Sequence, residues 1–346
     1  MNSTKFNMKH ERGAALITVL VIVFIVMTII TTMTVRNYRV IRRLTNQKVM
    51  EQAYAILFTA VDFGRAGLAT SGATSQMDTL TDLWAQPLPK TTILDNIQMS
   101  GYITDEQGKF NLNDLVSNGV INQTVLKQLT NLFGYINVPA VLATNIALYM
   151  ALPQYQNDIA AQYMNGSPAY RPAGRPLVDL SELLLVKGVD AKWLYKISQY
   201  VTLIPQSINY LVAAQAESAG AESAAAASPT SGTVAVNINT APAEVIAAIS
   251  NIPLPIAQRI TTIRSVTPFQ AQQDITSFLS SNGIIQGQSV PDGTTVSLSS
   301  LATQSSYFTI HAVVDSGDYE FKWIAFVYRA NRGGPQWPIV LWQHPE

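Results

Sequence analysis

Three histidines, His10, His311 and His344, and no cysteine bound the side-chain chemistry open to this 346-residue chain. Without thiols there is no thiolate nucleophile, no thiolate metal site and no disulfide. Three scattered histidines offer neither a zinc cluster nor a nucleophile–base pair of recognisable spacing. No nucleotide-binding glycine loop and no HExxH is present. His311 lies inside an alternating apolar run and reads as a satisfied or surface histidine rather than a base. Asp315 and Asp318 carry the oxygen ligands that calcium takes. Asp315-Ser316-Gly317-Asp318 is also the composition of a hairpin turn, which needs no metal. Asp105, Glu106 and Gly108 read the same way, as turn chemistry.

Phosphate binding is the next chemistry to weigh. Two stretches have helix-hairpin-helix character: Val178 to Val189, and Val236-Asn237-Ile238-Asn239-Thr240-Ala241-Pro242 continuing through Glu244, Arg259, Arg264, Phe269 and Asp274. DNA-binding versions use a glycine hairpin whose N–H groups cradle a phosphate. Here the second hairpin is Ser250-Asn251-Ile252-Pro253-Leu254-Pro255, where two prolines remove two donors. The first has Gly188 alone. Over the whole chain 22 basic residues balance 22 acidic ones, which argues against nucleic-acid binding through counterion release. No catalytic residue is assigned, and the chain is expected not to be an enzyme.

One covalent event is suggested at the N-terminus. Ala14 to Val35 carry no charge, and thirteen of these residues are Leu, Ile, Val or Phe. As a helix they reach about 33 Å, enough to cross a hydrocarbon core of about 30 Å. They account for part of a composition with only 13% charged residues, against about 25% in ordinary globular chains. Lys5, Lys9 and Arg12 precede the span, and Arg36, Arg39, Arg42 and Arg43 follow it, so positive charge does not decide the orientation. A secretory signal has its small residues after the apolar run. This chain has them before it, at Gly13-Ala14-Ala15.

A basic leader, Arg12-Gly13, Ala14-Ala15-Leu16-Ile17-Thr18 and a long apolar helix together resemble type IV prepilins and type II secretion pseudopilins. The resemblance implies that a prepilin peptidase cuts between Gly13 and Ala14 and methylates the new terminus. Most members carry glutamate at the fifth mature position; here it is Thr18, which cannot pair an ammonium. Its hydroxyl is expected to bond the Ala14 carbonyl, one turn back. Loss of that glutamate is typical of the K-type minor pseudopilins and fits the end of a filament.

The elements that would position these residues agree with that resemblance. The helical pattern continues past the membrane to about Gly67, with Gly64, Gly67 and Gly72 as stop signals. Leu94 to Ile103 reads as a strand, followed by the Asp105–Gly108 turn and Lys109-Phe110-Asn111-Leu112-Asn113-Asp114-Leu115. Helical spacing covers Val120–Phe133, Val138–Met150, Leu180–Leu185 and Trp193–Val201, with Asp179 as a cap. Thr240 is expected to cap the helix after Pro242. An Ala/Ser/Glu-rich loop, 213–233, separates the two helix-hairpin-helix stretches. Tyr307–Val314 and Tyr319–Arg329, about a turn at 315–318, make a hairpin expected to pair with strands near 97–112.

The expected fold is therefore α+β: a long N-terminal transmembrane pilin helix and a small antiparallel sheet, interrupted by a large all-α insert with helix-hairpin-helix-like (SAM-like) modules. The expected divisions are a leader, 1–13; the membrane part of the helix, 14–35; the pseudopilin domain, 36–111 and 291–346; and the insert, 112–290. The K-type resemblance implies partners: I- and J-type minor pseudopilins, the major pseudopilin filament, prepilin peptidase and inner-membrane lipid, with no nucleic acid. It implies a single pass through the bacterial inner membrane with the bulk in the periplasm. It also suggests bound calcium, with no ligands placed. Two alternatives remain at this level: a minor pilin of a type IV pilus, and a membrane-anchored helix-hairpin-helix protein for DNA uptake.

Overall fold

The computed structural model describes residues 11–346 apart from 95–96, 156–158, 206–233, 291–294, 318 and 331–336, with side chains from Ala15 onward. The low-complexity loop 213–233 and Asp318 thus lie outside the described residues. The first element, α1, is one continuous helix of 64 residues, Glu11–Thr74. From Ala15 to Lys48 every residue is exposed, as expected where the solvent of the apolar run is lipid. The threonines there satisfy themselves: Thr28, Thr31 and Thr34 donate to the carbonyls of Phe24, Met27 and Ile30, each at 2.8 Å.

The second half of α1 carries a buried stripe, Ala53, Leu57, Ala60, Val61 and Leu68. Gly64 and Gly72 lie on the same stripe and do not end the helix. A Cβ on Gly64 would stand 3.0 Å from Ile310, and one on Gly72 3.0 Å from Arg329. The glycines are there for close approach, and the helix runs seven residues beyond the expected end.

After α1 come β1 (Leu88–Leu94) and β2 (Ile97–Asp105). A 3₁₀ turn, Glu106–Gly108, then leads the chain off the sheet. The expectation that strand pairing continues to residue 112 is therefore corrected. Instead β3 (Phe110–Asn111) opens the insert, followed by a minimal hairpin of β4 (Val116–Ser117) and β5 (Val120–Ile121). Next are α2 (Gln123–Tyr135), α3 (Val141–Met150), α4 (Ile159–Met164), a 3₁₀ helix at Leu180–Leu185, and α5 (Ala191–Ser198). β6 (Val201–Thr202) closes the unit by pairing in parallel with β3. The second unit has β7 (Val236–Asn237), α6 (Ala243–Ser250), α7 (Leu254–Arg264) and α8 (Gln272–Ser281). β8 (Leu301–Ala302) pairs in parallel with β7.

The two units repeat one plan. Each opens with apolar-Asn-apolar-Asn, Phe110–Asn113 and Val236–Asn239. Each has a helical hairpin turning on a left-handed asparagine, Asn137 at φ 52° and Asn251 at φ 54°. Each helix before that turn ends with an N–H bonded five residues back, Val138 to Phe133 and Ile252 to Ala247. Each unit closes with a parallel strand pair. A single apolar core runs through both, from Phe110 to Leu301. The first repeat thus starts near residue 110, well before the Val178–Val189 stretch that suggested it.

The chain returns through β9 (Tyr307–Asp315), β10 (Glu320–Tyr328) and β11 (Ile339–Pro345). The five-stranded sheet runs β1-β2-β9-β10-β11, antiparallel throughout. Ala53, Leu57 and Ala60 pack on Ile97, Met99, Ala312 and Val314 at the end nearer the apolar half of α1. Val61 and Leu68 pack on Phe308, Ile310, Ala325 and Val327 at the far end. The insert joins the sheet at that far end, between Asp105 and Tyr307.

Candidate functional site

The backbone of Gly13 and Ala14 lies in the opening turns of α1. Thr18 is exposed, and its hydroxyl donates to the carbonyl of Ala15 at 2.9 Å rather than to that of Ala14. The bond closes over three residues instead of four, and the side chain remains local and neutral.

The second hairpin does not form a phosphate cradle. Asn251 takes the left-handed position and its Nδ2 donates to Thr295 O at 2.9 Å. Arg264 turns inward, and its Nη1 donates to the carbonyls of Ile238 and Ala241. Burial pushes that guanidinium down to about 10. Thr240 does not cap α6, whose first residue follows Pro242. Its hydroxyl instead donates to Asp105 Oδ2 at 2.6 Å.

Asp315 is engaged as a turn residue. Its Oδ1 accepts from Gly317 N at 3.0 Å, and its Oδ2 accepts from Lys90 Nζ at 3.1 Å. Among the described residues no three His, Asp or Glu side chains gather as metal ligands would. His311 is half-buried, stacked on Tyr102 at 4.3 Å. Burial lowers its pKa, and its Nδ1 has no protein partner, so neither half of "satisfied or surface" describes it fully.

The most concentrated polar site is one that local turn chemistry concealed. Asp105, at the end of β2, is buried and accepts four hydrogen bonds: from Gln107 N at 2.8 Å, Ser305 Oγ at 2.6 Å, Thr240 Oγ1 and Asn237 Nδ2 at 3.2 Å. Burial raises its pKa, and these four bonds oppose that rise. Beside it, Arg329 Nη2 pairs with Asp78 Oδ2 at 2.7 Å, both side chains essentially out of solvent. Arg329 also donates to Ser305 O and Leu68 O, and its guanidinium lies over the Phe308 ring. The knot ties five segments: α1, the loop after it, β2, the second repeat and the sheet's return. It is the junction where the insert and the helix-and-sheet domain become one body.

A parallel set uses the paired asparagines. Asn113 accepts from Leu177 N at 2.8 Å and donates to Leu177 O at 3.1 Å. Asn239 does the same to Phe269, at 3.0 and 2.8 Å. Asn111 Oδ1 accepts from Ile204 N, and Asp114 Oδ2 from Val234 N, which ties Ile204 and Val234 to the first repeat. Burial pushes Asp114 up to about 7. The recurrence of apolar-Asn-apolar-Asn was the sequence signal for this pairing.

Two family models match the chain, both described as type II secretion system protein K, over residues 108–206 and 236–297. Those ranges coincide with the two structural repeats. Type II secretion system protein K of Pseudomonas aeruginosa is 27% identical over 339 residues, covering 94% of this chain and 91% of the relative. The protein of that name from Klebsiella pneumoniae is 28% identical over 207 residues, 56% of this chain and 63% of the relative. Among solved structures, a chain of the GspK-GspI-GspJ complex from enterotoxigenic Escherichia coli superposes with TM-score 0.64 at 20% identity, covering 88% of this chain and 99% of that one. With one apolar helix fit for a membrane anchor among the described residues, a small antiparallel sheet and a doubled helical insert, the chain belongs to the protein K family of type II secretion systems, the K-type minor pseudopilins.

Proposed function

We propose that this minor pseudopilin is the terminal subunit of its pseudopilus. In this reading α1 crosses the inner membrane once, with the bulk of the chain in the periplasm. Prepilin peptidase cuts between Gly13 and Ala14, and the mature subunit joins I- and J-type partners in a complex that starts the filament. The role is structural, without a catalytic site. Bound calcium remains what the K-type resemblance suggests, with no ligands placed.

The position of the insert carries the reading. It hangs from the end of the sheet beside Leu68 and Asp78, the end farthest from the membrane. From Val35 to Thr74 the helix rises about 58 Å. A filament is built by stacking such helices, so the insert occupies the space that a next subunit would need. Co-expression with the I- and J-type subunits of the same system tests the assignment. A stable three-way complex on size exclusion is expected, and separate elution of the three chains would count against it.

A further inference from the structure

We propose that the exposed basic face of α1 just beyond the apolar run, Arg36, Arg39, Arg42 and Arg43, is a binding site for the phosphate headgroups of anionic phospholipid. The inference rests on reading α1 as a membrane span, and it holds for either orientation of that span. All four side chains are exposed. Positions 36, 39 and 43 follow helical spacing and share one face, with Arg42 beside them. No acidic residue occurs between Arg12 and Glu51, so the nearest carboxylate farther along the helix lies eight residues past Arg43, more than two turns away. Among the described ion pairs none involves these arginines.

Their height relative to the bilayer selects the ligand. Arg36 directly follows Val35, the last residue of the apolar run. Arg39 lies about 5 Å farther along the axis and Arg43 about 10 Å farther. The headgroup layer of one leaflet is about 5–7 Å thick. Arg36 and Arg39 therefore stand in the phosphate layer, and Arg42 and Arg43 at its outer margin. Tyr38 sits at the same level with Arg42 over its ring at 5.8 Å, the placement of an interfacial aromatic. Tyr38, Arg39, Arg42 and Arg43 line one shallow groove along the helix. Guanidinium groups hold phosphate bidentately, so the groove suits a phosphodiester better than a diffuse counterion cloud. A membrane that carries anionic lipid attracts such a segment, and salt weakens the attraction.

The test uses the full chain reconstituted in phosphatidylcholine vesicles with a trace of spin-labelled lipid. The probe is spin-labelled phosphatidylglycerol in one sample and spin-labelled phosphatidylcholine in the other. The fraction of motionally restricted probe should be about three- to tenfold higher for phosphatidylglycerol. Replacing all four arginines with glutamine, or adding 1 M salt, should bring the two probes together, and replacement with lysine should keep most of the preference. Inorganic phosphate at matched ionic strength should have no more effect than chloride. Equal restriction of both probes in a chain that resists carbonate extraction overturns the lipid site and leaves the span intact. Extraction of the wild-type chain by carbonate overturns the span, and the site with it. Specific displacement by inorganic phosphate would make the patch a free-anion site and overturn the lipid assignment.

Discussion

Asp105 stands in Asp-Glu-Gln-Gly, a string whose local turn chemistry is complete in itself, which is why its long-range role was not legible in the sequence. Its partners Asn237, Thr240 and Ser305 lie more than 130 residues away. Arg329 likewise ends a strand and reads as a boundary residue, yet it is the cation of a buried pair. Removing one member of such a pair strands the other charge. Arg329→Met should therefore lower the stability of the folded part by about 3–5 kcal/mol in urea denaturation, whereas a change at exposed Arg259 should cost less than about 0.5 kcal/mol. Asp114 gives a pH-dependent prediction. Its folded pKa of about 7 is above its unfolded value of 3.8, so the folded state holds the extra proton between those values. Its contribution is therefore greatest at low pH and is lost as pH rises toward 7. Asp114→Asn removes this slope but leaves one of the two accepted bonds, from Asn111 or Val234, unmade. The variant should be less stable than wild type at pH 4–5, with the gap closing or reversing at pH 8. A gap that widens with pH would contradict the burial argument.

Elements with strong periodicity were legible: the apolar span, the β9–β10 hairpin and the Asp179 cap, whose Oδ1 accepts from Ser181 N at 2.6 Å within a capping box completed by Glu182. β1 was not, because it is an edge strand exposed along nearly its whole length and so carries no alternation. The glycines of α1 misled for a different reason. A glycine in a helix can mark an end or a close contact, and only the position of β9 and β10 distinguishes the two. Gly101 is the corresponding case in a strand. A Cβ there would meet the backbone oxygen of His311 at 2.4 Å, and a backbone atom cannot step aside as a side-chain terminus can. Gly101→Ala should push β2 from β9 and cost about 1–3 kcal/mol, with faster amide exchange along both strands. Unchanged exchange in β9 would show that the sheet absorbs the methyl elsewhere.

At the scale of the molecule, the doubled insert, its attachment at the far end of α1 and Thr18, which the proposed cut after Gly13 would make a neutral fifth residue, are the grounds for proposing a subunit with nothing stacked beyond it. A shaft subunit needs a carboxylate near its terminus because an unpaired ammonium in an apolar filament core is costly. Thr18 makes one local bond, worth about 1 kcal/mol or less. Thr18→Ala should then leave secretion of cargo nearly intact at native expression, and Thr18→Glu should be neutral or mildly harmful. Abolished secretion by a Thr18→Ala protein that is still made and stable would mean that the hydroxyl contacts a neighbour. The central claim, that this chain ends the filament, is tested most directly by where it lies on one. Pseudopili assembled from the complete set of subunits, with an epitope placed in the 213–233 stretch and gold-labelled for electron microscopy, should carry label at one end only. Label distributed along the shaft would contradict the account.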